Sequence, residues 1–382
     1  MNKTTRGIIR TSQAISLIAM SGMVISPALS GIGDHFSHIP SVYIQMLVTI
    51  PSLCMIPATL LSSKIRGYLT CKKIYLGCLL LLLFGGVAPI LVKNFFFMFF
   101  CRVLVGLAIG LMTPVNTAMV TSYLPLEQRT GVLGVNNAIE SIGGAFMVIA
   151  SGWLATLSWE LCFVVYLLAI LPLIVVLLRL DDNIEMEQST EKQAQGFPRI
   201  ILFFVLVLCL YMTFLNIFST NISALIQEKS IGDSLFSGVI VAVYLLAGFF
   251  AGLLFQKADQ LFRKHTFAVG ILLCGIGLGL LALGKDVYSF LLGSIISGYG
   301  MGQAIPAALN LVNEYSPVEQ HTFHISLLLS GSRIGQFMTT LIYVPIIHRL
   351  QVDVSGAYAC SAVFLCILTG VLFISRRKRK GV

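Results

Sequence analysis

Twelve long apolar runs recur along the chain, separated by short breaks of charged residues, Pro and Gly. They cover approximately residues 12–31, 41–61, 73–92, 95–118, 131–154, 158–180, 200–225, 234–255, 265–284, 287–311, 323–347 and 354–375. Each is about the 20 residues that one helix needs to cross hydrocarbon about 30 Å thick, so the pattern predicts twelve membrane-spanning helices. The longest polar interruption, Asp181 to Arg199, lies near the middle of the chain. It is acidic and poor in aromatics, which marks a solvated connector rather than a metal site built on Asp181 and Asp182. The expected organisation is a six-helix bundle over 1–180, a cytoplasmic linker over 181–198, and a second six-helix bundle with a basic tail over 199–382. The apolar run that follows MNKTTRGIIR looks superficially like a signal peptide. It is longer than a usual signal core and eleven similar runs follow, so it is read as an uncleaved first span.

Composition supports this all-α, polytopic membrane class. Of 382 residues, 57% are hydrophobic and only 11% charged, against roughly 25% charged in an average soluble protein. The mean hydropathy is +0.91. A soluble enzyme would need a far more polar exterior, and no acidic or histidine cluster sits at an interfacial loop, so an enzyme is not expected. The net charge of +9 encodes orientation rather than a nucleic-acid partner. With the N-terminus inside, nineteen Lys and Arg fall on the cytoplasmic side; four (Lys93, Lys229, Lys285, Arg349) fall outside; and Arg102 and Arg333 lie within spans, which accounts for all 25. Both termini are therefore expected in the cytoplasm, with the protein in the cell membrane. The tail RRKRK reads as a topology anchor on anionic headgroups. The nine cysteines lack a CxxC pair and read as small hydrophobic filler.

Shifting the chain on itself by 192 residues aligns 106–146 with 298–338 without a gap, and eleven of 41 positions are identical. The identities include Gly106/Gly298, Gly110/Gly302, Pro114/Pro306, Tyr123/Tyr315, Pro125/Pro317, Glu127/Glu319, Gln128/Gln320 and Gly143/Gly335. Apolar bias alone does not produce a shared Tyr-x-Pro-x-Glu-Gln, so the chain is read as two related halves. Parallel repeats of this kind, related by an axis along the membrane normal, suit a transporter.

With six plus six spans and this repeat, the chain resembles the major facilitator superfamily over essentially its whole length. In that family the loop after the second helix reads approximately G-x-x-x-D-x-x-G-R-[RK]. Here Ser63 to Lys73 keeps Lys72 and Lys73 but has Gly67 in place of the Asp. The equivalent loop of the second half keeps Asp259, Arg263 and Lys264. The resemblance implies that these five are gating-loop residues. Arg102, followed by Gly106 and Gly110, is similar to the fourth-helix Arg motif of proton-coupled members. The fifth-helix signature of drug antiporters, G-x-x-x-G-P-x-x-G-G, is only partly kept: Gly143 and Gly152 fit, while Met147 and Val148 occupy the Gly-Pro positions.

Arg102, Glu140 and Arg333 are the ionisable residues deepest in the expected spans. At 1.5 Å per residue, Arg102 lies about 10 Å below the outer edge and the other two about 14 to 15 Å above the inner edge. A charge at such depth needs pairing or hydration. Arg102 and Glu140 lie on consecutive helices and would pair, either as a structural ion pair or as a contact whose switching takes up and releases a proton. Arg333 would meet an anionic substrate or serve as a counter-charge. Polar residues at helical spacing supply candidate substrate contacts: Tyr299, Gln303 and Asn310 on one helix, Asn216 on another, Arg333 and Gln336 on a third, and Asn116 on the fourth. Stripes of this kind also serve as helix-to-helix adhesion, as do the GxxxG pairs Gly106/Gly110, Gly248/Gly252 and Gly298/Gly302.

Other signals lead nowhere. GLLALGKD, Gly279 to Asp286, lacks the Ser or Thr and the preceding strand of a phosphate-binding loop. His321 and His324 lack further metal ligands. No cofactor or metal is expected. The expected function is secondary active transport of a small molecule by alternating access: proton-coupled efflux of a partly apolar compound, or alternatively uptake of a small organic anion. A non-transporting membrane sensor is a distant third. The expected partners are substrate, protons and membrane lipid, without nucleic acid, and the protein is expected to act as a monomer.

Overall fold

The computed structural model describes residues 3–182, 184, 199–316 and 320–377. Most of the expected linker and the end of the basic tail lie outside the described residues. Every regular element among the described residues is helical, and the chain divides into two compact units, Met1–Thr190 and Glu191–Val382.

In the first unit the helices are α1 (Lys3–Leu17), α2 (Leu29–His35), α3 (Ser41–Ile65), α4 (Cys71–Val87), α5 (Phe95–Tyr123), α6 (Leu126–Leu157) and α7 (Ile170–Arg179). The second holds α8 (Arg199–Leu215), α9 (Ile217–Glu228), α10 (Ser234–Leu253), α11 (Phe255–Phe262), α12 (Thr266–Leu283), α13 (Val287–Tyr315), α14 (His321–Met338), α15 (Val344–Arg349) and α16 (Val354–Arg377).

Four expected spans are interrupted rather than uniform. The first passes from α1 through tight 3-10 turns at Ser21–Met23 and Ser26–Ala28 into α2. Pro27 stands at the start of the second turn, where its missing N–H costs no helix bond. The span over 158–180 begins as a 3-10 helix, Trp159–Ala169, before α7. The span over 200–225 is broken at Asn216, between α8 and α9, and the one over 323–347 carries a π-helical segment, Thr339–Tyr343, between α14 and α15. The loop after the eighth span also contains a helix of its own, α11.

Among the described residues, ten helical stretches are long and apolar enough to cross a membrane. The remaining two expected spans, 287–311 and 323–347, are helical as well. They carry Gln303, Asn310, Arg333 and Gln336 among Ser and Gly, so they are less apolar than the others. The exterior is apolar, with Leu80, Phe96, Trp153, Leu178, Leu206 and Leu253 exposed, while Arg102 is 0% exposed. This inversion suits a molecule whose outer solvent is lipid.

The repeat recurs at the level of contacts within each unit. Helices α5 and α13 are both 29 residues long and start after side-chain caps, Asn94 on the Phe97 N–H and Asp286 on the Ser289 N–H. Each ends where the residue before a proline, Leu124 or Ser316, is extended, with ψ 144° and 139°. The proline ring that follows excludes the helical conformation there. A Cβ on Gly106 would lie 2.5 Å from the Pro51 carbonyl oxygen, and one on Gly298 would lie 2.2 Å from that of Tyr244. Likewise Gly143 closes on Leu17 and Gly335 on Cys209, which extends the 192-residue offset to the first helix of each unit.

Candidate functional site

Arg102 projects from α5 into the broken first span. Its Nε donates to the Leu47 carbonyl at 2.8 Å, its Nη2 to the Gly22 carbonyl at 2.6 Å, and its Nη1 to the Tyr166 hydroxyl. Tyr166 in turn donates to the Ser21 carbonyl at 2.7 Å, and the Ser151 hydroxyl donates to that of Val24. The interruption at 18–28 releases carbonyls that an intact helix would have used. These side chains take them up, as burial requires. The expected partner of Arg102 was Glu140. The observed contacts of its guanidinium are instead backbone carbonyls and one phenol, while Glu140 is half-buried on α6. The Gly22 carbonyl comes from the break and the Leu47 carbonyl from α3, four residues before Pro51, whose missing N–H leaves it free; with the Tyr166 hydroxyl they lie within reach of one planar fork.

Further down α5, Asn116 is buried. Its Nδ2 donates to the Ser12 carbonyl at 3.3 Å and lies 3.4 Å from the Ser16 hydroxyl. Asn136 of α6, also buried, donates to the Ser12 hydroxyl at 2.6 Å. Three helices of the first unit thus meet through two amides and two serines.

In the second unit, Arg333 is half-buried on α14 and lies 3.5 Å from the Gln336 Oε1, one helical turn away. Asn216, at the α8–α9 break, donates to the Gln336 carbonyl at 3.1 Å, and the Thr339 hydroxyl donates to the Thr213 carbonyl at 2.7 Å. The break and the π-helical segment are thereby tied together. The stripe on α13 divides: Gln303 is buried and donates to the Ala251 carbonyl at 2.7 Å, Tyr299 is half-buried, and Asn310 is exposed. Asn310 lines a cavity of about 330 Å³ with Asp259, Arg263, Thr266 and Glu314. There Asp259 accepts from the Thr266 hydroxyl at 2.9 Å.

The gating-loop candidates are spread. Lys72 pairs with Asp182 at 3.1 Å, Lys73 and Arg263 are exposed, and the side chain of Lys264 lies outside the described residues. So does that of His321, while His324 shares a hydrogen bond with Ser316 at 2.6 Å. Among the described residues, no group of three His, Cys, Asp or Glu is placed to hold a metal, and the nine cysteines are free thiols.

Sequence reasoning missed Tyr166, Ser151, Ser12 and Asn136. Tyr166 and Ser151 carry no sequence signal within apolar runs. Asn136 was findable, because it stands one turn before Glu140 on the same helix face.

A family profile described as Major Facilitator Superfamily matches residues 13–228 and 202–382. The chain is 29% identical over 143 residues to a "Benzoate transport protein" of Acinetobacter baylyi, covering 36% of this chain and 30% of that protein. It is 24% identical over 192 residues to an "MFS-type transporter gkaD" of Penicillium citrinum, covering 48% and 32%. The chain thus spans about a third of the length of each of these curated relatives. Among solved structures, it superposes on the POT family transporter PepTSo with a TM-score of 0.79 at 11% identity, covering 100% of this chain and 99% of that one. On the nucleoside transporter NupG the TM-score is 0.74 at 12% identity, with 98% of each chain covered. These likenesses concern the fold.

Proposed function

Because the chain belongs to the major facilitator superfamily, and so is a secondary transporter of a small molecule and not an enzyme, we propose that its cargo is a small, partly apolar organic anion. Arg333 provides its cationic contact and Glu140 exchanges a proton during transport. The observation that carries this reading is how the mid-span charges are used. Arg102 is 0% exposed and holds the broken first span together, so it serves packing and does not face a cargo. Arg333 is the other mid-span cation. It is half-buried beside Gln336, in a helix with a π-helical segment, a feature frequent at functional sites. A desolvated guanidinium forms paired hydrogen bonds with a carboxylate, and the relative named for benzoate transport handles a molecule of this chemistry. Tyr299, Asn216 and Gln336 would orient the polar end of the cargo.

A second reading, proton-coupled efflux of a partly apolar compound, draws on the same Glu140 with the direction reversed. Uptake of labelled aromatic carboxylates into intact cells and everted vesicles, with a pH-sensitive dye inside, separates the two. Accumulation in intact cells, accompanied by proton entry, is expected. Arg333→Ala should raise the KM for the carboxylate at least about tenfold, as loss of one charged hydrogen-bonding contact does. Glu140→Gln should abolish proton movement. Transport of uncharged analogues at the same rate as the acids, unaffected by Arg333→Ala, would reject the anion reading.

A further inference from the structure

The glycine contacts carry the 192-residue offset into the first helix of each unit, with Gly143 closing on Leu17 and Gly335 on Cys209. At that offset Val24, inside the interruption at 18–28, corresponds to Asn216, the break between α8 and α9. Each unit therefore begins with a span broken at the same place, and the residues of α2 fall opposite those of α9. Tyr166, which donates to the Ser21 carbonyl, corresponds to Tyr358, which lies 3.2 Å from the carbonyls of both Ile217 and Phe218.

What secures the segment beyond the break differs at both of its ends. In the first unit Arg102 holds the break with three contacts. Its counterpart is Ser294, a buried hydroxyl with no hydrogen-bond partner among the described residues. Thr339 and Asn216 fix the second break from the α8 side, while on the α9 side Tyr358 shares one hydroxyl proton between two carbonyls. At the far end of α2, Phe36 is 6% exposed and packs edge-on against Phe95 and Trp159, with ring centroids 5.9 and 5.7 Å away. Its counterpart is Glu228, an exposed carboxylate at the end of α9. Glu228 accepts from the Val354 N–H at 2.8 Å, the Ser355 N–H at 3.2 Å and the Ser355 hydroxyl. These donors form the first turn of α16, where the helix dipole favours an anion. Releasing Phe36 would wet aromatic surface, whereas water can replace the contacts of Glu228 directly. The buried faces differ in the same sense. Helix α9 buries Ser219, Thr220, Asn221 and Ser223, where the first unit has Pro27, Ala28, Leu29 and Gly31.

We propose that α9 is a hinged gate: it pivots at Asn216 and is latched at its far end by Glu228 on the first turn of α16, while its counterpart in the first unit stays fixed. A break at an element end is where a hinge absorbs its change of backbone angle, and the polar buried face of α9 can meet water when the latch is released. An unequal gate presupposes the transport reading and adds to it which element moves.

Hydrogen exchange of the purified full chain in detergent, read by mass spectrometry without cargo, tests the hinge apart from transport. Amides of α9 should exchange at least about tenfold faster than those of α2, the scale of one charged hydrogen bond in opening energy. Glu228→Ala should speed α9 by about a further tenfold and leave α2 unchanged. Ser355→Ala, which removes one donor to the carboxylate, should act in the same direction by about two- to fivefold. In intact cells a membrane-impermeant maleimide should label Ser223→Cys above the background of the native thiols, and faster when Glu228→Ala is added. Gly31→Cys, at the corresponding position of the first unit, should stay unreactive in both backgrounds. Mere fraying of the helix end would speed exchange beside Glu228 alone and leave Ser223→Cys unlabelled, which would overturn the gate. Equal protection of α2 and α9, or exchange in α9 indifferent to Glu228→Ala, would overturn it as well. A chain that moved no cargo while α9 behaved as expected would reject the transport reading and keep the hinge.

Discussion

A guanidinium offers five N–H donors in a fixed plane, and Arg102 directs them to Leu47, Gly22 and Tyr166, groups that are far apart in sequence. Lysine has a single ammonium and cannot span them. Arg102→Lys should therefore destabilise the protein by about 3 kcal/mol, the scale of one or two lost charged hydrogen bonds in a buried site. Tyr166→Phe should cost about 1 to 2 kcal/mol by removing the hydroxyl that joins Arg102 to the Ser21 carbonyl. Thermal unfolding in detergent measures both. A purely proton-coupling Arg102 would instead leave the melting temperature unchanged and lower transport. Arg263 is a second residue-scale case. Its φ of 48° is one that side chains other than glycine adopt reluctantly, and the family's loop motif has glycine one residue earlier, where this chain has Phe262. Arg263→Gly should be more stable than Arg263→Ala by about 1 kcal/mol, which the two melting curves decide directly. At this scale the sequence pointed to Arg102, which is buried, and to where polar residues recur at helical spacing. It did not show what they touch, because the partners of Arg102 come from three other elements: the Gly22 carbonyl at a break that no single residue announces, the Leu47 carbonyl of α3 and the Tyr166 phenol.

Among elements, three glycine pairs share one spacing and differ in what surrounds them. A Cβ on Gly302 would sit 2.3 Å from the Gly248 carbonyl oxygen, whereas one on Gly252 would meet nothing within 4 Å. Gly302→Ala should force α10 and α13 apart and cost about 1 to 3 kcal/mol, as overpacking does. Gly252→Ala should be neutral, or stabilising by up to about 1 kcal/mol through helix propensity. Equal melting temperatures for the two variants would contradict this arrangement of α10 against α13. Element positions were legible from apolar run length, and α5 and α13 were anchored by the Pro that follows each. The interruptions at 18–28, at Asn216 and at Thr339–Tyr343 were not legible. Inside a membrane run, hydropathy stays high whether the backbone winds as α, 3-10 or π, and only side chains from neighbouring helices stabilise the irregular turns, as Ser151 does for Val24 and Thr339 for Thr213.

At the level of the whole molecule, the repeat did what hydropathy alone could not. The two least apolar expected spans, α13 and α14, are recognisable because α13 aligns with α5, down to matching helix ends, and α14 with α6. This less apolar pair carries Arg333 and Gln336, the residues proposed above to meet the cargo. The expected orientation rests on a different property, the side on which Lys and Arg gather. Lys64 and Arg66 end α3, Lys72 and Lys73 begin α4, and Lys257 and Arg263 flank the turn after α10, whereas Lys93, Lys229, Lys285 and Arg349 mark the opposite helix ends. The connections between α3 and α4 and between α10 and α12 carry basic residues in excess, and translocating them is disfavoured. A fluorescent protein fused after Val382 should therefore fold and fluoresce, and alkaline phosphatase fused there should be inactive. The same reporters fused after Ser230, in the turn between α9 and α10, should give the reverse. Active phosphatase at both points would mean that an odd number of crossings separates them from the expected count. The assignment of Arg333 and Glu140 to one membrane depth would fail with it, because both depths are measured from the same inner edge.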